Sequence, residues 1–265
     1  MEKGDILIKD KKWPEACEVY EEIIRRFDKF EEIDWCVKVI EAFLEKGKCL
    51  GGESNKSEAI KAYEDVIKRS YETYKKVIKS SSSNSFKERL CNLYFSAWFG
   101  KGEIYRETGL YNDYEKALSC FTRVFMLGNR FGLGNNVDKT SIYVQACLGR
   151  VDVLTKLDSD DCHEEIFSFC EKVMKKIGYA VFKNTFHEEI GSLLVYMGKA
   201  LIELNCNMEN IETYEKRISS YFNYKKHPKF QHPFEQAERL LKQAKGLLKT
   251  VEQACSNCNS TNTTY

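Results

Sequence analysis

Apolar residues recur at helical spacing along most of the chain. From Pro14 to Phe27 they return every three or four residues, while glutamates and arginines occupy the opposite face. This period fits a helix of about 3.6 residues per turn, and proline is tolerated in the first turn of a helix. The same pattern predicts further helices over residues 30–50, 57–78, 86–108, 114–127, 137–157, 162–177, 185–204, 208–222 and 234–254.

Residues typical of turns separate these predicted helices. Short stretches with glycine, asparagine, aspartate or serine fall between the apolar runs, and the serine-rich residues 80–85 are the clearest of them. Such residues adopt the backbone angles of turns and caps at little cost. The three prolines, Pro14, Pro228 and Pro233, leave long stretches without the strongest helix breaker. The sequence therefore predicts an all-α protein.

A set of small and aromatic positions repeats along the chain. The clearest copy places Gly47 and Leu50 on one predicted helix, and Ala59 and Tyr63 on the next. The same spacing returns at Gly4, Leu7, Ala16 and Tyr20, and at Gly198, Leu201, Asn210 and Tyr214. Two looser copies contain Gly102, Ala117 and Phe121, and Gly149, Ile166 and Cys170. Repeated helical hairpins bury one another's apolar faces, so the sequence predicts a stacked array.

These positions resemble the tetratricopeptide repeat family, in which a small residue of the first helix meets small and aromatic residues of the second. The resemblance implies that Gly47 and Ala59 let two antiparallel helices approach, while Tyr63 and Phe121 fill the space between neighbouring repeats. The recurring glycines lie farther apart than the family's period of about 34 residues. This long period is similar to the long-helix branch of cytoplasmic scaffold and adaptor proteins. A HEAT-like or other helical-hairpin array is the alternative.

The resemblance implies one solenoid domain, an α-α superhelix, over residues 1–255. Its five helical hairpins are expected near residues 1–28, 30–80, 86–128, 137–178 and 185–223. A helix over residues 233–255 has no partner in the repeat pattern and is expected to cap the array. The polar residues 256–265 are expected to form a disordered tail.

The first helices of tetratricopeptide repeats line a concave groove, and this family geometry implies a binding site. The positions that the resemblance carries into the groove are Leu44, Lys48, Phe99, Glu103, Arg106, Tyr143, Arg150 and Lys199. An apolar floor with charges of both signs suits an extended peptide or a partner helix. The expected function is therefore a non-enzymatic scaffold or adaptor that binds a segment of another protein. The clamp with which related cochaperones grip a C-terminal carboxylate is absent from the matching positions, which argues against chaperone tails.

The balance of charges limits the other classes of function. Lys and Arg total 41 while Asp and Glu total 40, so no net basic charge favours a polyanion such as RNA. Nucleic-acid binding is the alternative because Tyr71 and Tyr74 alternate with basic residues, and tyrosine can stack on bases. The basic residues of this patch are Lys68, Arg69, Lys75, Lys76 and Lys79. No phosphate-binding loop, nucleophile elbow or zinc-protease motif occurs, so neither an enzyme nor a cofactor is expected.

Further expectations concern the oligomeric state, the cellular location and the metal content of the protein. Self-association through the leucine-rich residues 234–254 is a second alternative. No run of about eighteen uncharged apolar residues is long enough to span a bilayer, and residues 1–13 lack the apolar core of a secretory signal. We therefore expect a cytoplasmic protein with reduced cysteines, and the nucleus is the alternative location. Cys255 and Cys258 have the spacing of half a zinc site, but no metal is expected because a helix separates them from the histidines.

Overall fold

A computed structural model describes residues 2–53, 55–79, 84–131, 137–157, 160–176, 187–204, 207–221 and 228–261. Within these residues all regular secondary structure is helical, as the sequence predicts. The helices are α1 Glu2–Lys9, α2 Trp13–Phe27, α3 Ile33–Gly52, α4 Lys56–Lys79, α5 Asn84–Thr108, α6 Tyr111–Phe131, α7 Val137–Leu157, α8 Asp160–Lys176, α9 His187–Glu203, α10 Met208–Ser220 and α11 Pro228–Thr261.

Helices α3, α6 and α11 end two or more residues beyond the ends that the sequence predicts. Helix α3 continues through Gly51 and Gly52, where Cβ atoms would lie 2.9 Å from side-chain atoms of Ile104 and Trp13. Only glycine lets the helix pack this closely on the two side chains, and this packing outweighs the helix penalty of about 1 kcal/mol for a glycine. Helix α11 continues to Thr261, so residues 256–261 are helical rather than a disordered tail. Neither glycine nor proline follows Gly246 in this helix to end it, and residues 262–265 lie outside the described part of the chain.

The packing of the helices divides the chain into two compact units. Unit 1 is Met1–Arg150 and unit 2 is Val151–Tyr265, so the boundary falls inside α7. Within unit 1, consecutive helices from α1 through α6 pack against one another, which is the contact pattern of consecutive hairpins. Within unit 2, α9 packs against α8, α10 and α11. A single domain over residues 1–255 stays a prediction.

Aromatic rings on the second helices of unit 1 rest against glycines on the first helices. A Cβ atom at Gly4 would lie 2.5 Å from Cζ of Tyr20, and one at Gly47 would lie 2.9 Å from Cε1 of Tyr63. Real Cβ atoms do not approach rings this closely, so only glycine leaves room for the ring. Tyr20 and Tyr63 are both buried. The repeated spacing in the sequence thus corresponds to a repeated contact in the structure.

Two of these rings also contact the following repeat. Cζ of Tyr63 would lie 2.6 Å from a Cβ atom at Gly100, which belongs to the next hairpin. Phe121 has the same arrangement, with its ring between Gly102 of its own hairpin and Gly149 of α7. Each ring therefore joins two repeats, as the resemblance implies.

In unit 2 the corresponding ring, Tyr214, is held at both its face and its hydroxyl. Cζ of Tyr214 would lie 2.7 Å from a Cβ atom at Gly198. The Tyr214 hydroxyl donates to the carbonyl oxygen of Leu194 at 2.9 Å and lies 3.3 Å from that of Ala237. Because Ala237 is on α11, this tyrosine links the last hairpin to the terminal helix. The inward face of α11, with Phe234 and Ala237, is buried.

The hydroxyl of Tyr214 offers a test of this link. Replacing Tyr214 by phenylalanine keeps the ring against Gly198 but removes the donor, and we expect the free energy of unfolding to fall by about 0.5–1.5 kcal/mol. Urea denaturation followed by far-ultraviolet circular dichroism measures the change. The matched control is Tyr111→Phe, because Tyr111 is 64% exposed. Equal effects of the two substitutions would contradict a structural role for the buried hydroxyl.

Candidate functional site

Two of the residues expected in the groove are buried in the core. Leu44 is 5% exposed and Tyr143 is completely buried, with its ring stacked on Phe125 at a centroid distance of 5.9 Å. Their assignment to an open groove is therefore wrong. The positions were carried over from repeats with shorter helices, and small differences in helix rotation turn a side chain from the surface into the core.

The remaining groove residues are at least partly exposed, and each of them contacts a neighbouring side chain of this protein. Lys48 pairs with Glu45 at 2.7 Å, and Glu103 pairs with Arg106 at 2.6 Å. The other three members make the following contacts: Phe99 packs on Phe121 at 6.1 Å between centroids, Arg150 Nε donates to Thr122 Oγ1 at 3.1 Å, and Lys199 lies 6.0 Å from the Tyr196 ring. Lys199 belongs to unit 2 and the others to unit 1. Partner binding by this stripe stays a prediction.

The basic patch around Tyr71 is partly neutralised. The Arg69 guanidinium bonds both carboxylate oxygens of Asp28 and stacks over the Phe43 ring at 4.8 Å. Lys75 lies over the Tyr71 ring at 4.1 Å. A guanidinium held by a carboxylate is a poor ligand for phosphate, so this patch offers fewer cations than the sequence suggests.

A cleft of about 290 Å³ opens between α4, α5 and α6, and we call it the first cleft. Its aromatic walls are Tyr71, Tyr74, Tyr94 and Phe95, and its aliphatic walls are Ile78, Leu90 and Leu127. Tyr71 and Ile78 are each 54% exposed, so apolar surface faces solvent here. Exposed contiguous apolar surface is a mark of interaction sites.

The charged groups among the described residues of the first cleft are arginines. Arg123 and Arg130 line it, and the described residues of its lining include neither aspartate nor glutamate. Ser70 is 1% exposed, and its hydroxyl has no hydrogen-bond partner within the described part of the chain. Arg123 is exposed and likewise forms no ion pair or hydrogen bond with the described residues. The cleft therefore combines an apolar interior with one arginine, Arg123, that no carboxylate of the described residues neutralises.

A second cleft adjoins the first. It is lined by Trp98 of α5 and by α6 residues that include Met126, which is 55% exposed, and Glu115. Arg123 lines both clefts, and the rings of Tyr94 and Trp98 meet edge to face at 6.3 Å. The Trp98 indole nitrogen is buried without a partner among the described residues. We refer to the two clefts together as the α4–α6 groove.

Long helices build this groove. Tyr71, Tyr74 and Ile78 lie on the part of α4 that continues beyond Tyr63, while Tyr94 lies on α5 before Gly102. Helix α4 has 24 residues and α5 has 25, whereas two helices share a repeat of about 34 residues in the family. The groove positions of the family do not include these additional helical turns of α4 and α5. The signal in the sequence was the tyrosine pair at i and i+3, which we interpreted as part of a nucleic-acid patch.

Burial makes four of the described thiols unreactive at neutral pH. Burial raises the pKa of Cys17 and Cys120 to about 11, and that of Cys49 to about 12. Burial also raises the pKa of Cys91 in the first cleft, although the nearby Lys139 opposes the shift. A raised pKa keeps a thiol protonated at neutral pH, and the thiolate is the form that attacks or binds metal.

The described residues hold neither a metal-binding cluster nor a membrane-spanning helix. They contain no group of three His, Cys, Asp or Glu side chains placed to hold a metal ion. The side chains of Cys255 and Cys258 lie outside the described part of the chain. No helix described here has both the length and the apolar character needed to cross a membrane.

Comparison with known proteins identifies the fold. No protein-family model matches the chain, and no curated protein matches it. A solved structure, BtubC (BKLC) from P. vanneervenii, aligns with a TM-score of 0.54 at 11% sequence identity, over 94% of this chain and 78% of that one. The chain has an all-α helical-repeat fold. At this identity the likeness shows the fold alone.

Two designed proteins align with lower scores. A computationally designed self-assembling cyclic homo-oligomer gives a TM-score of 0.35 at 14% identity, over 94% of this chain and 97% of that one. The de novo designed helical repeat protein DHR64 gives 0.29 at 14% identity, over 88% and 98% of the two chains. Scores this low add nothing to the assignment of the fold.

Proposed function

We propose that this protein is a non-enzymatic scaffold whose unit 1 binds a segment of another protein in the α4–α6 groove. The observation that carries the proposal is the open aromatic surface of the first cleft, where Tyr71 and Ile78 are more than half exposed. Tyrosine, tryptophan and arginine dominate the binding energy of protein interfaces, and the groove contains all three. We also propose that the protein acts in the cytoplasm.

The size of the first cleft favours a side chain over a free small molecule. Its volume of about 290 Å³ is at the lower limit of the range of about 300–1,000 Å³ that is typical of small-molecule sites. The second cleft extends the apolar surface along α6, as a longer partner segment requires. A preformed groove on helices also lowers the ordering cost of binding.

The glycine and ring contacts support a tetratricopeptide-like repeat of the long-helix branch. The pairs Gly47 and Tyr63, and Gly102 and Phe121, have the small-against-aromatic packing that the family resemblance implies. Scaffolds of this kind carry out no chemistry, which is in keeping with the raised pKa values of the buried thiols.

Selection from a displayed library of random peptides tests the proposal. We expect the full chain to enrich peptides, and we expect the double substitution Tyr71→Ala, Tyr94→Ala to weaken their binding by about tenfold or more. Truncation of aromatic anchors costs over about 1–2 kcal/mol, and about 1.4 kcal/mol is tenfold in Kd. Fluorescence anisotropy measures the Kd. The matched control is Tyr111→Ala, because Tyr111 is an exposed tyrosine outside the groove, and it should leave Kd unchanged.

Two results would contradict the proposal. Failure to enrich any peptide would remove the evidence for segment binding. Enriched peptides that tolerate the tyrosine variant but fail to bind Arg150→Glu, Lys199→Glu would move the site to the stripe that the family resemblance implies. Unchanged circular dichroism and melting of each variant show that a loss of binding does not come from unfolding.

A further inference from the structure

From the charges of the α4–α6 groove we infer the chemistry of the segment that binds there. This inference rests on the proposed function. The bound segment is acidic: an apolar side chain fills the first cleft, and an adjacent aspartate or glutamate pairs with Arg123.

The first argument is the imbalance of charge in the first cleft. Arg123 lines it, no carboxylate occurs among the described residues of the lining, and exposed Lys75 lies over the neighbouring Tyr71 ring. Elsewhere in unit 1, arginines meet carboxylates of this chain, as Arg89 does with Glu41 and Arg69 with Asp28. Arg123 has no such partner among the described residues. A planar guanidinium binds a carboxylate through two parallel hydrogen bonds, so a carboxylate from outside completes this site.

The second argument is the unused hydroxyl of Ser70. Hydroxyls in other described helices donate to a carbonyl oxygen four residues earlier, as those of Thr155, Ser192 and Thr250 do. Ser70 is also helical and nearly fully buried, yet its hydroxyl lacks any partner in the described structure. Buried polar groups without partners are rare and costly. A polar group of the bound segment would satisfy it.

The third argument comes from the indole of Trp98 in the second cleft. Its nitrogen is buried and has no acceptor among the described residues, and an indole can only donate. Together with Arg123 it makes the middle of the groove rich in donors. The partner must therefore bring acceptors, which carboxylates and peptide carbonyl groups supply.

A nucleic acid fits the same surface less well. A polyanion meets repeated phosphate charges along its length, but Glu115 lines the second cleft and Arg69 is held by Asp28. An acidic protein segment needs its negative charge only at the first cleft. We therefore assign the groove to a protein segment and treat RNA binding as an outcome of the test.

The test uses the random peptide library against the full chain and against Arg123→Glu. Wild type should enrich peptides in which aspartate or glutamate lies within one helical turn of an apolar anchor. Changing that acid to its amide should weaken Kd by about tenfold, because charge-assisted hydrogen bonds contribute about 1.5–3 kcal/mol. Arg123→Glu should lose the acidic preference. The matched control Lys68→Glu makes the same charge change on exposed α4 surface and should retain it.

The outcomes separate this inference from the proposed function. Enriched peptides without acids, or with equal affinity for Arg123→Glu, would overturn the acidic partner while leaving segment binding intact. A library that yields no peptide would overturn both. Single-stranded RNA that displaces the peptides and binds Lys68→Glu more weakly than wild type would replace the protein partner by a nucleic acid.

Discussion

Replacing Phe121 by alanine is expected to lower the free energy of unfolding by about 3–5 kcal/mol. The ring is completely buried and lies between Gly102 and Gly149, with Phe99 at 6.1 Å between centroids. Glycines have no side chains that could move into the space, so the cavity left by the ring would stay open. Cavities that do not collapse are the costly ones. Urea denaturation of the full chain, followed by circular dichroism, measures the loss.

The control for Phe121 is Tyr111→Ala on the same helix. Tyr111 is 64% exposed, and its truncation should change stability by no more than about 0.5 kcal/mol. A loss at Phe121 that is no greater than the loss at Tyr111 would contradict the view that this ring joins two repeats.

Alanine at Gly102 is expected to destabilise the protein by about 1–3 kcal/mol, although alanine is the better helix former. Its Cβ atom would lie 2.7 Å from Cε1 of Phe121. The ring has little room to retreat, because on its other side it already packs closely on Gly149, where an added Cβ atom would lie 2.8 Å from Cζ. Overpacking therefore outweighs the gain of about 1 kcal/mol in helix propensity. Thermal and urea denaturation measure the change.

The substitution Gly246→Ala is expected to change the stability of the protein in the opposite direction. Gly246 lies in α11, and nothing lies within 4 Å of the Cβ atom that alanine would add. Here the propensity gain is unopposed, so we expect stability to rise by as much as about 1 kcal/mol. If both glycine substitutions stabilised the protein, the close contact between Gly102 and the ring would not exist in solution.

Most of the fold could be predicted from the sequence because local patterns determine it. The apolar period of residues 14–27 and Pro14 place α2 correctly, and the spacing of Gly47 and Tyr63 predicts a contact that the structure contains. The resemblance implies that Tyr63 contacts the next repeat, but it does not identify Gly100 as the partner, because no local pattern shows how the next hairpin is rotated. The length of α11 was missed because polar residues without glycine or proline give no stop signal.

The candidate site was harder to predict than the fold. Family positions led to Leu44 and Tyr143, whose burial depends on the rotation of long helices in three dimensions. The groove instead arises where α4 and α5 extend past the repeat core, and its tyrosines come from different helices. Sequence alone shows Tyr71 beside basic residues, but not that Arg69 is engaged by Asp28 while Arg123 is not.

The rings that touch two repeats constrain how such a protein can evolve. Tyr63 needs Gly47 in its own hairpin and Gly100 in the one that follows. A duplicated or exchanged hairpin would therefore be accepted after Tyr63 only if it brought a glycine at the position of Gly100. Recombination between repeats should succeed where the exchanged segment contains both a ring and the glycine facing it, and fail where the cut separates them.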